Sequence, residues 1–295
     1  MFSLWLIHLA DRGLKKLAVA CALVLLMSPV FAEDPPKADV KDVKSEDDPL
    51  RKPRVQFLKD AVKHFEVQVG EEAVESKLHP NSVLVWNNPV SGTKVGILAV
   101  FARNGRPDVM AQFSFNSPQS VINEFHNFCG DKLVMKRGTN TIWTPAETST
   151  KWQKLDTSEK PAATPPLRLV QMRRLAEKFT VEDEFGWDKK ELNQLRLLTT
   201  PVHRYGKPDE ETIDGAVFVY ALATDPEAVL MLECVRGESG LSWRYGFGPM
   251  SIYALKAKLD DAVVWEIPER KVFGQTKAVQ YVFPYQLAPG EKFPE

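Results

Sequence analysis

The sequence has no excess of charge of either sign, few cysteines and few histidines. Its 38 basic and 39 acidic side chains leave a net charge of −1. A near-neutral chain argues against nucleic-acid binding, which requires a basic face that displaces counterions. The 5 histidines are scattered, and none stands four residues from another, so no local pattern supports a metal site. We therefore expect neither a metal ion nor nucleic acid as a partner.

Motifs for catalysis and for cofactor binding are also missing. The sequence contains no GxGxxG, no Walker loop, no HExxH, no GxSxG and no CxxCH. These absences argue against the best-marked nucleotide-binding enzymes, zinc proteases, serine hydrolases and c-type haem proteins. We expect no cofactor, and we expect a binding protein more than an enzyme.

Long apolar runs are absent too, and the one near the start is short. Leu17–Met27 falls well below the ~20 residues that span a bilayer. The basic segment Arg12–Lys16 precedes it and Val30–Ala32 follows it, which is the pattern of a secretory signal peptide. We expect residues 1–32 to be removed on export to the periplasm or beyond, with no membrane span after cleavage. Lipidation at Cys21 is the less favoured alternative, because apolar residues continue beyond it.

Two segments rich in proline or charge divide the rest of the chain. Residues 33–52 carry too few apolar side chains to offset their chain entropy, which predicts a disordered tether. Residues 158–166 contain three prolines and predict a linker. We predict folded units over 53–157 and 167–287, followed by a tail over 288–295.

The two predicted units are similar to each other. Residues 83–115 align without a gap with residues 202–234, at a constant offset of 119. The alignment contains 7 identities in 33 positions, where ordinary composition gives roughly two. The identical pairs are Val83/Val202, Pro89/Pro208, Thr93/Thr212, Gly96/Gly215, Val100/Val219, Ala102/Ala221 and Pro107/Pro226. This similarity predicts one topology used twice.

Each unit opens with a helical pattern and continues with strand patterns. Apolar residues recur at helical spacing over Val55–Val67 and over Leu167–Val181. The Asn104-Gly105 turn between two apolar runs is typical of a β-hairpin. We predict an α+β fold made of two tandem repeats, each an amphipathic helix packed on an antiparallel β-meander. The predicted strands are 97–102, 108–115, 119–128, 132–137, 140–144, 216–222, 228–235, 241–247, 250–259 and 262–266.

One predicted strand alternates clearly between apolar and mixed positions. Val109, Ala111, Phe113 and Phe115 alternate with residues that include Gln112. The alternation predicts one buried face and one face in contact with water.

Several short segments resemble an uncharacterised family of exported bacterial proteins. The resemblance covers about residues 83–270 and implies export and a shared fold, but no activity and no site residue. The segments are Asn104-Gly105-Arg106-Pro107, Gln171-Met172-Arg173, Leu195-Arg196-Leu197-Leu198 followed by Pro201 and Arg204-Tyr205, Asp214-Gly215-Ala216-Val217-Phe218, and Thr224-Asp225-Pro226-Glu227.

Glu124 and His126 are the best acid/base candidates. On a strand they share a face, and a carboxylate beside a histidine can transfer protons in a cleft. A solvated strand face is the simpler interpretation, because the second unit has Gly248 in the place of His126.

Three tryptophans are candidates for a flat ligand platform. Trp152, Trp187 and Trp243 have no aromatic counterpart in the other unit, so the fold does not require an aromatic ring in both copies. Burial in the core is the competing interpretation, given the area that such a ring buries.

Cys129 and Cys234 remain after signal cleavage and form a possible disulfide in an oxidising compartment. A buried free thiol is the favoured alternative for Cys234, which alternates with apolar residues on a predicted strand.

These observations lead to an expectation about function. We expect an exported, soluble, non-catalytic binding module for a peptide, a polysaccharide or an envelope partner. The alternatives are a hydrolase of cell-surface material that uses Glu124 and His126, and a structural component of the envelope.

Overall fold

The computed structural model describes residues 48–80, 84–186, 190–207 and 210–294. These residues form eighteen β-strands but only two α-helices. The protein is therefore mostly β, and the predicted α+β class is wrong. The predicted signal peptide and most of the predicted tether lie outside the described residues.

The first half of the described chain is residues 48–157. It contains helix α1 (Arg51–Ala61), one turn of 3-10 helix (Val62–His64) and nine strands. The strands are β1 (Phe65–Val69), β2 (Val74–Leu78), β3 (Leu84–Asn88), β4 (Thr93–Arg103), β5 (Arg106–Ser117), β6 (Ser120–Asn127), β7 (Leu133–Arg137), β8 (Asn140–Trp143) and β9 (Gln153–Lys154).

The second half is residues 158–294. It contains helix α2 (Pro165–Ala176) and nine further strands. The strands are β10 (Phe179–Phe185), β11 (Glu191–Gln194), β12 (Arg196–Tyr205), β13 (Thr212–Leu222), β14 (Asp225–Gly237), β15 (Gly240–Pro249), β16 (Leu255–Leu259), β17 (Ala262–Ile267) and β18 (Gln280–Pro284).

The strands form three antiparallel sheets, which confirms the predicted antiparallel pairing. One sheet has the order β18-β6-β5-β4-β2-β1-β7-β8, with β3 also paired to β4. The second has the order β12-β13-β14-β15-β9, and the third the order β11-β10-β16-β17. The pairing order β3-β4-β5-β6 in the first half thus matches β12-β13-β14-β15 in the second. The common origin of the two halves stays a prediction.

Both helices end earlier than their apolar spacing predicts. The helix predicted to reach Val67 ends at Ala61, and the helix predicted to reach Val181 ends at Ala176. The chain then enters β1 after the 3-10 turn, and it enters β10 soon after α2. Strand β1 pairs with β7 over Phe65–Val69, and β10 pairs with β16 over Phe179–Asp183. Phe65 and Val67 are buried although they lie on a strand. A helix would bury the same two residues, so their apolar spacing does not distinguish a helix from a strand.

The protein contains three clusters of buried apolar residues. One lies between α1 and the first sheet and includes Phe113 and Trp143, and one lies under α2 and includes Phe218 and Trp243. The third is shared by both halves and joins residues of β4 and β5, such as Met110, to residues of β13 and β14. The two halves are therefore packed against each other through a common core.

The shared core corrects the prediction for strand β5. Met110 is completely buried and Gln112 is only 3% exposed. The face predicted to contact water is thus covered by the second half. The same packing buries both faces of β13 and β14.

An aromatic ring lies over a glycine at matching places in the two halves. Trp86 lies opposite Gly96 in the β3–β4 pair, and Tyr205 lies opposite Gly215 in the β12–β13 pair. A Cβ added to Gly96 would stand 2.3 Å from the Trp86 ring, and one added to Gly215 would stand 2.6 Å from the Tyr205 ring. Only glycine leaves room for the ring at these positions.

Two strands cross between the halves. Strand β9 of the first half pairs with β15, and strand β18 of the second half pairs with β6. The predicted linker is also held in place, because Arg168 on α2 donates to the carbonyls of Ala162 and Ala163. Within the described residues, no helix combines the length and the apolar character that a membrane span requires.

Candidate functional site

Two openings between the halves differ in how their charges are balanced. The arginine groove is lined by Arg103, Arg106, Asp108, Trp152 and Arg244 among others, and its volume is about 910 Å³. The carboxyl cavity is lined by Trp86, Gln112, Glu124, Asp225, Glu227 and Tyr253 among others, and its volume is about 550 Å³.

The arginine groove is the larger of the two, and two of its lining arginines neutralise the buried acid Glu233 beside it. Glu233 is completely buried. Arg106 Nε lies 3.2 Å from Glu233 Oε1 and Arg244 Nε lies 2.6 Å from Oε2. The Tyr205 hydroxyl donates a further hydrogen bond of 2.8 Å. A carboxylate with three such partners is a structural element that joins the halves.

A second ion pair of the groove is complete as well. Arg103 donates to both carboxylate oxygens of Asp108, at 3.0 and 3.1 Å, and also to Asp131. Burial lowers the pKa of the Arg103 guanidinium, but these acids outweigh burial and hold the pKa above its usual range. The charges of the two buried acids at the groove, Glu233 and Asp108, are therefore matched by arginines of the chain itself.

The carboxyl cavity is lined by acids without a matching base. Glu124 reaches it from β6, and Asp225 and Glu227 reach it from the start of β14. No lysine, arginine or histidine is among the described residues that line it. Trp86, Phe185, Tyr253 and Phe273 add aromatic surface, with Phe273 exposed at 59%. Three carboxyl groups thus share one partly aromatic cavity.

Glu124 is held at its place by two long polar side chains. Gln280 Nε2 donates to Glu124 Oε2 at 3.3 Å, and Arg270 donates in turn to Gln280 Oε1 at 3.0 and 3.2 Å. Burial raises the pKa of Glu124 to about 7, against the opposing effects of Gln280 and Arg270. About a quarter of the Glu124 side chain is exposed to the cavity. The cavity is itself surrounded by protein, so the ionised carboxylate is still poorly solvated.

The ionised forms of Asp225 and Glu227 are destabilised more strongly than the ionised form of Glu124. Burial, reinforced by the neighbouring carboxyl groups, raises the pKa of both. Asn88 opposes the shift at Asp225 by donating a hydrogen bond of 3.0 Å. The Ser251 hydroxyl opposes it at Glu227, but no hydrogen bond of normal geometry reaches Glu227 Oε2. The cavity therefore keeps protons at neutral pH.

Within the described residues, four buried polar atoms of the cavity lining have no hydrogen-bond partner. They are Trp86 Nε1, Gln112 Oε1, Glu227 Oε2 and Ser251 Oγ. The parent residues are 5%, 3%, 2% and 7% exposed. A buried polar atom without a partner costs about 1–3 kcal/mol, so the wall of the cavity carries polar groups that the chain itself leaves unsatisfied.

His126 does not join Glu124 as an acid/base pair. Its Nε2 lies 4.0 Å from Glu124 Oε2, which exceeds hydrogen-bond distance. Burial, with a smaller effect of Arg270, lowers the pKa of His126 to about 3. The ring is therefore neutral at physiological pH and too weak a base to accept a proton there.

The tryptophan candidates have different surroundings. Two guanidinium groups, of Arg106 and Arg244, lie 5.1 and 4.9 Å from the ring centroid of Trp152. Trp243 is 2% exposed in the core of the second half, and its Nε1 donates to the Glu159 carbonyl. Trp187 lies outside the described residues. Trp243 is thus part of the core, whereas Trp152 lines the arginine groove beside two guanidinium groups.

Cys129 and Cys234 are both buried free thiols. They belong to different apolar clusters, one in each half. Burial raises the pKa of the Cys129 thiol to about 12 and that of Cys234 to about 11. Neither thiol is therefore set up as a nucleophile.

Asp225 and Glu227 are the site residues that sequence reasoning missed. They align with Arg106 and Asp108 of the first unit. The change from arginine to aspartate at the first of these positions was the available signal, since it alters the charge at one place of an otherwise similar turn.

Within the described residues, no group of histidine, cysteine and acidic side chains has the arrangement of a metal site. No protein-family model, no curated protein and no solved structure matches this chain. Function therefore has to be argued from the geometry of the cavity.

Proposed function

We propose that this protein is an exported, non-catalytic binding module and that the carboxyl cavity is its ligand site. The observation that carries the proposal is a combination found among the described lining residues: three carboxyl groups, no base and four buried polar atoms without a partner. Such a cavity has unsatisfied hydrogen-bonding capacity that only a ligand or water can use. Its volume of about 550 Å³ fits a small ligand or one side chain of a larger partner.

The direction of the pKa shifts favours binding over hydrolysis. An acid/base mechanism needs one group that donates a proton and one that accepts it, with pKa values moved apart. Here the pKa values of Glu124, Asp225 and Glu227 are all raised. All three carboxyl groups are shifted in the same direction, so no strongly acidic group stands beside a strongly basic one among the described lining residues.

The ligand class follows the expectation from sequence, which is a peptide, a polysaccharide or an envelope partner. A structural component of the envelope is less favoured, because its interface would not need an internal cavity with unpartnered polar atoms. Export rests on the signal sequence alone.

The test is a binding screen with a reporter inside the cavity. The Trp86 indole N–H signal in a nitrogen-15 spectrum, assigned with Trp86→Phe, is followed while peptides and envelope oligosaccharides are added. We expect one class to shift it. Shifts confined to the Arg106 and Arg244 side chains would place the site in the arginine groove instead. Turnover of a bound compound that falls at least 100-fold in Glu124→Gln would favour the hydrolase.

A further inference from the structure

The two openings are built from matching positions of two hairpins. Strand β5 begins at Arg106 and strand β14 at Asp225, so Asp108 and Glu227 are each the third residue of their strand. Strands β4 and β13 have the same length and end at Arg103 and at Leu222, respectively. The β4–β5 hairpin at the arginine groove therefore shows how the charge of a buried acid at the third position of the strand can be neutralised.

In the groove, the carboxylate at the third position is paired by the chain itself. Arg103 forms a two-bond contact with Asp108. In the carboxyl cavity, Leu222 takes the place of Arg103, and Glu227 is 2% exposed with its Oε2 unpartnered. The buried acid is retained and its guanidinium partner is missing.

The first residue of the strand also lacks its positive charge in the cavity, because β5 begins with Arg106 and β14 begins with Asp225. Arg106 crosses to the other half, contacts Glu233 and lies over the ring of Trp152. Asp225 crosses in the opposite direction but brings a carboxyl group, which accepts a hydrogen bond from Asn88. At these two matching strand positions, the cavity thus has two acids, Asp225 and Glu227, whereas the groove has one base and one acid, Arg106 and Asp108.

The remaining lining also suits a planar cation. Gln112 Oε1 is an unpartnered buried acceptor. The rings of Phe185 and Tyr253 form an edge-to-face pair with centroids 4.9 Å apart at the cavity wall. Aromatic faces and carboxylates together stabilise guanidinium groups in a site shielded from water.

We propose that the carboxyl cavity binds a guanidinium group from outside the chain, the arginine side chain of a peptide, in the role that Arg103 and Arg106 have in the groove. This inference rests on the proposed function and specifies its ligand. Glu227 and Asp225 would accept hydrogen bonds from the guanidinium nitrogens, and Gln112 Oε1 would accept another.

Binding of a cation should release protons. The groups that face Glu227 are Asp225, Glu124, Asp183 and Tyr253, and the charged group behind Glu124 is Arg270. An entering cation stabilises the carboxylates, so it replaces protons that they hold near neutral pH. We therefore expect affinity to rise between pH 6 and pH 8.

The test compares two probes that differ in charge but hardly in shape. N-acetyl-arginine amide and N-acetyl-citrulline amide are titrated into the folded protein, with calorimetry and the Trp86 indole signal as readouts. We expect the arginine probe to bind at least tenfold more tightly than the citrulline probe. Calorimetry in phosphate and in Tris at pH 7 should give different apparent enthalpies, because protons are released to the buffer.

Variants assign the effect to the cavity. Glu227→Gln should weaken binding of the arginine probe at least tenfold and reduce proton release. Asp225→Asn is the second variant, in case the first does not fold. Glu71→Gln is the matched control, because it removes one carboxylate from an 83% exposed side chain outside the cavity, and it should bind like the parent.

The outcomes separate this inference from the proposed function. Equal affinity for both probes would overturn the proposal that the ligand is a guanidinium group. The absence of a Trp86 shift at about 10 mM arginine probe, a concentration at which even weak binding is detected, would also overturn it. A neutral peptide or sugar that still shifts Trp86 would then preserve the binding function with another ligand. Absence of any Trp86 shift in the whole screen would overturn both.

Discussion

At the scale of single residues, the molecule contrasts one buried acid that is paired with another that is not. Glu233 has arginines on both carboxylate oxygens, whereas Glu227 is buried beside further acids. A buried carboxylate is tolerated when it is paired or when it keeps its proton. The two glutamates show these two solutions in one protein.

Glu227→Gln should stabilise the protein at alkaline pH. The folded state raises the pKa of Glu227, so folding holds a proton that the unfolded chain loses above its ordinary pKa near 4.5. The parent therefore loses stability as pH rises from there through the folded pKa. Glutamine cannot ionise, so we expect the free energy of unfolding to be higher than that of the parent at pH 8 and little changed at pH 4.5, measured by urea unfolding.

The control for this prediction is Glu71→Gln, whose exposed side chain should leave the pH dependence of stability unchanged. An equal effect of Glu227→Gln at both pH values would contradict the assignment, because a change in packing alone does not depend on pH.

Arg244→Gln should destabilise the protein, since it leaves Glu233 with a single arginine. Removing one partner of a buried ion pair costs about 3 kcal/mol. In Glu233→Gln/Arg244→Gln the acid is gone, and we expect most of that loss to be recovered. Thermal unfolding of the four proteins in the double-mutant cycle measures the coupling. Strictly additive losses would show that the two side chains do not interact.

At the scale of strand pairs, the close approach of an aromatic ring to a glycine recurs in both halves. Trp86 covers Gly96 and Tyr205 covers Gly215, at distances that exclude a Cβ. Each contact lies at the edge of the shared core, where strand β3 meets β4 and β12 meets β13. The ring position in each half depends on the bare backbone of the opposite strand.

Gly96→Ala should therefore displace the Trp86 ring. We expect a loss of about 1–3 kcal/mol, the usual cost of an overpacked site, together with a changed Trp86 indole signal. Gly130→Ala is the matched control, because nothing stands within 4 Å of a Cβ there and its backbone conformation is ordinary. If both substitutions cost the same, the effect would belong to glycine as such and not to the ring.

At the scale of the whole molecule, the two halves depend on each other. They share one apolar core, and strands β9 and β18 each pair with a strand of the other half. A half without its partner would expose residues of β5 or β14 that are now completely buried. Independent folding of the halves is therefore unfavourable.

Fragments 48–160 and 161–294 should consequently fold only together. We expect each fragment alone to bind the dye ANS and to lack a fixed tertiary signal in near-ultraviolet circular dichroism. An equimolar mixture should regain the signal of the intact chain and elute as one complex. A fragment that shows a native tertiary signal alone would contradict the shared core.

Part of the architecture could be predicted because it is local. The alternation of Val109, Ala111 and Phe113 and the Asn104-Gly105 turn led correctly to the β4–β5 hairpin, now observed with Asn104 and Gly105 at positive φ. Most strands after β4 were placed within a few residues for the same reason. Glu124 was also identified as a candidate, and it does line the cavity.

The sequence by itself determined the β4–β5 hairpin and the approximate places of several other strands, because neighbouring residues specify turns and strand faces. Only the tertiary structure decided that Phe65 and Phe179 begin strands, since they pair with Arg137 of β7 and Leu259 of β16, which stand 72 and 80 residues further on. It also decided that both faces of β5 are buried, and that Glu124 meets Asp225 and Glu227 in one cavity. Periodicity along a chain reports which side of an element is apolar. It carries no information on which distant element covers that side, and that choice created both the shared core and the cavity.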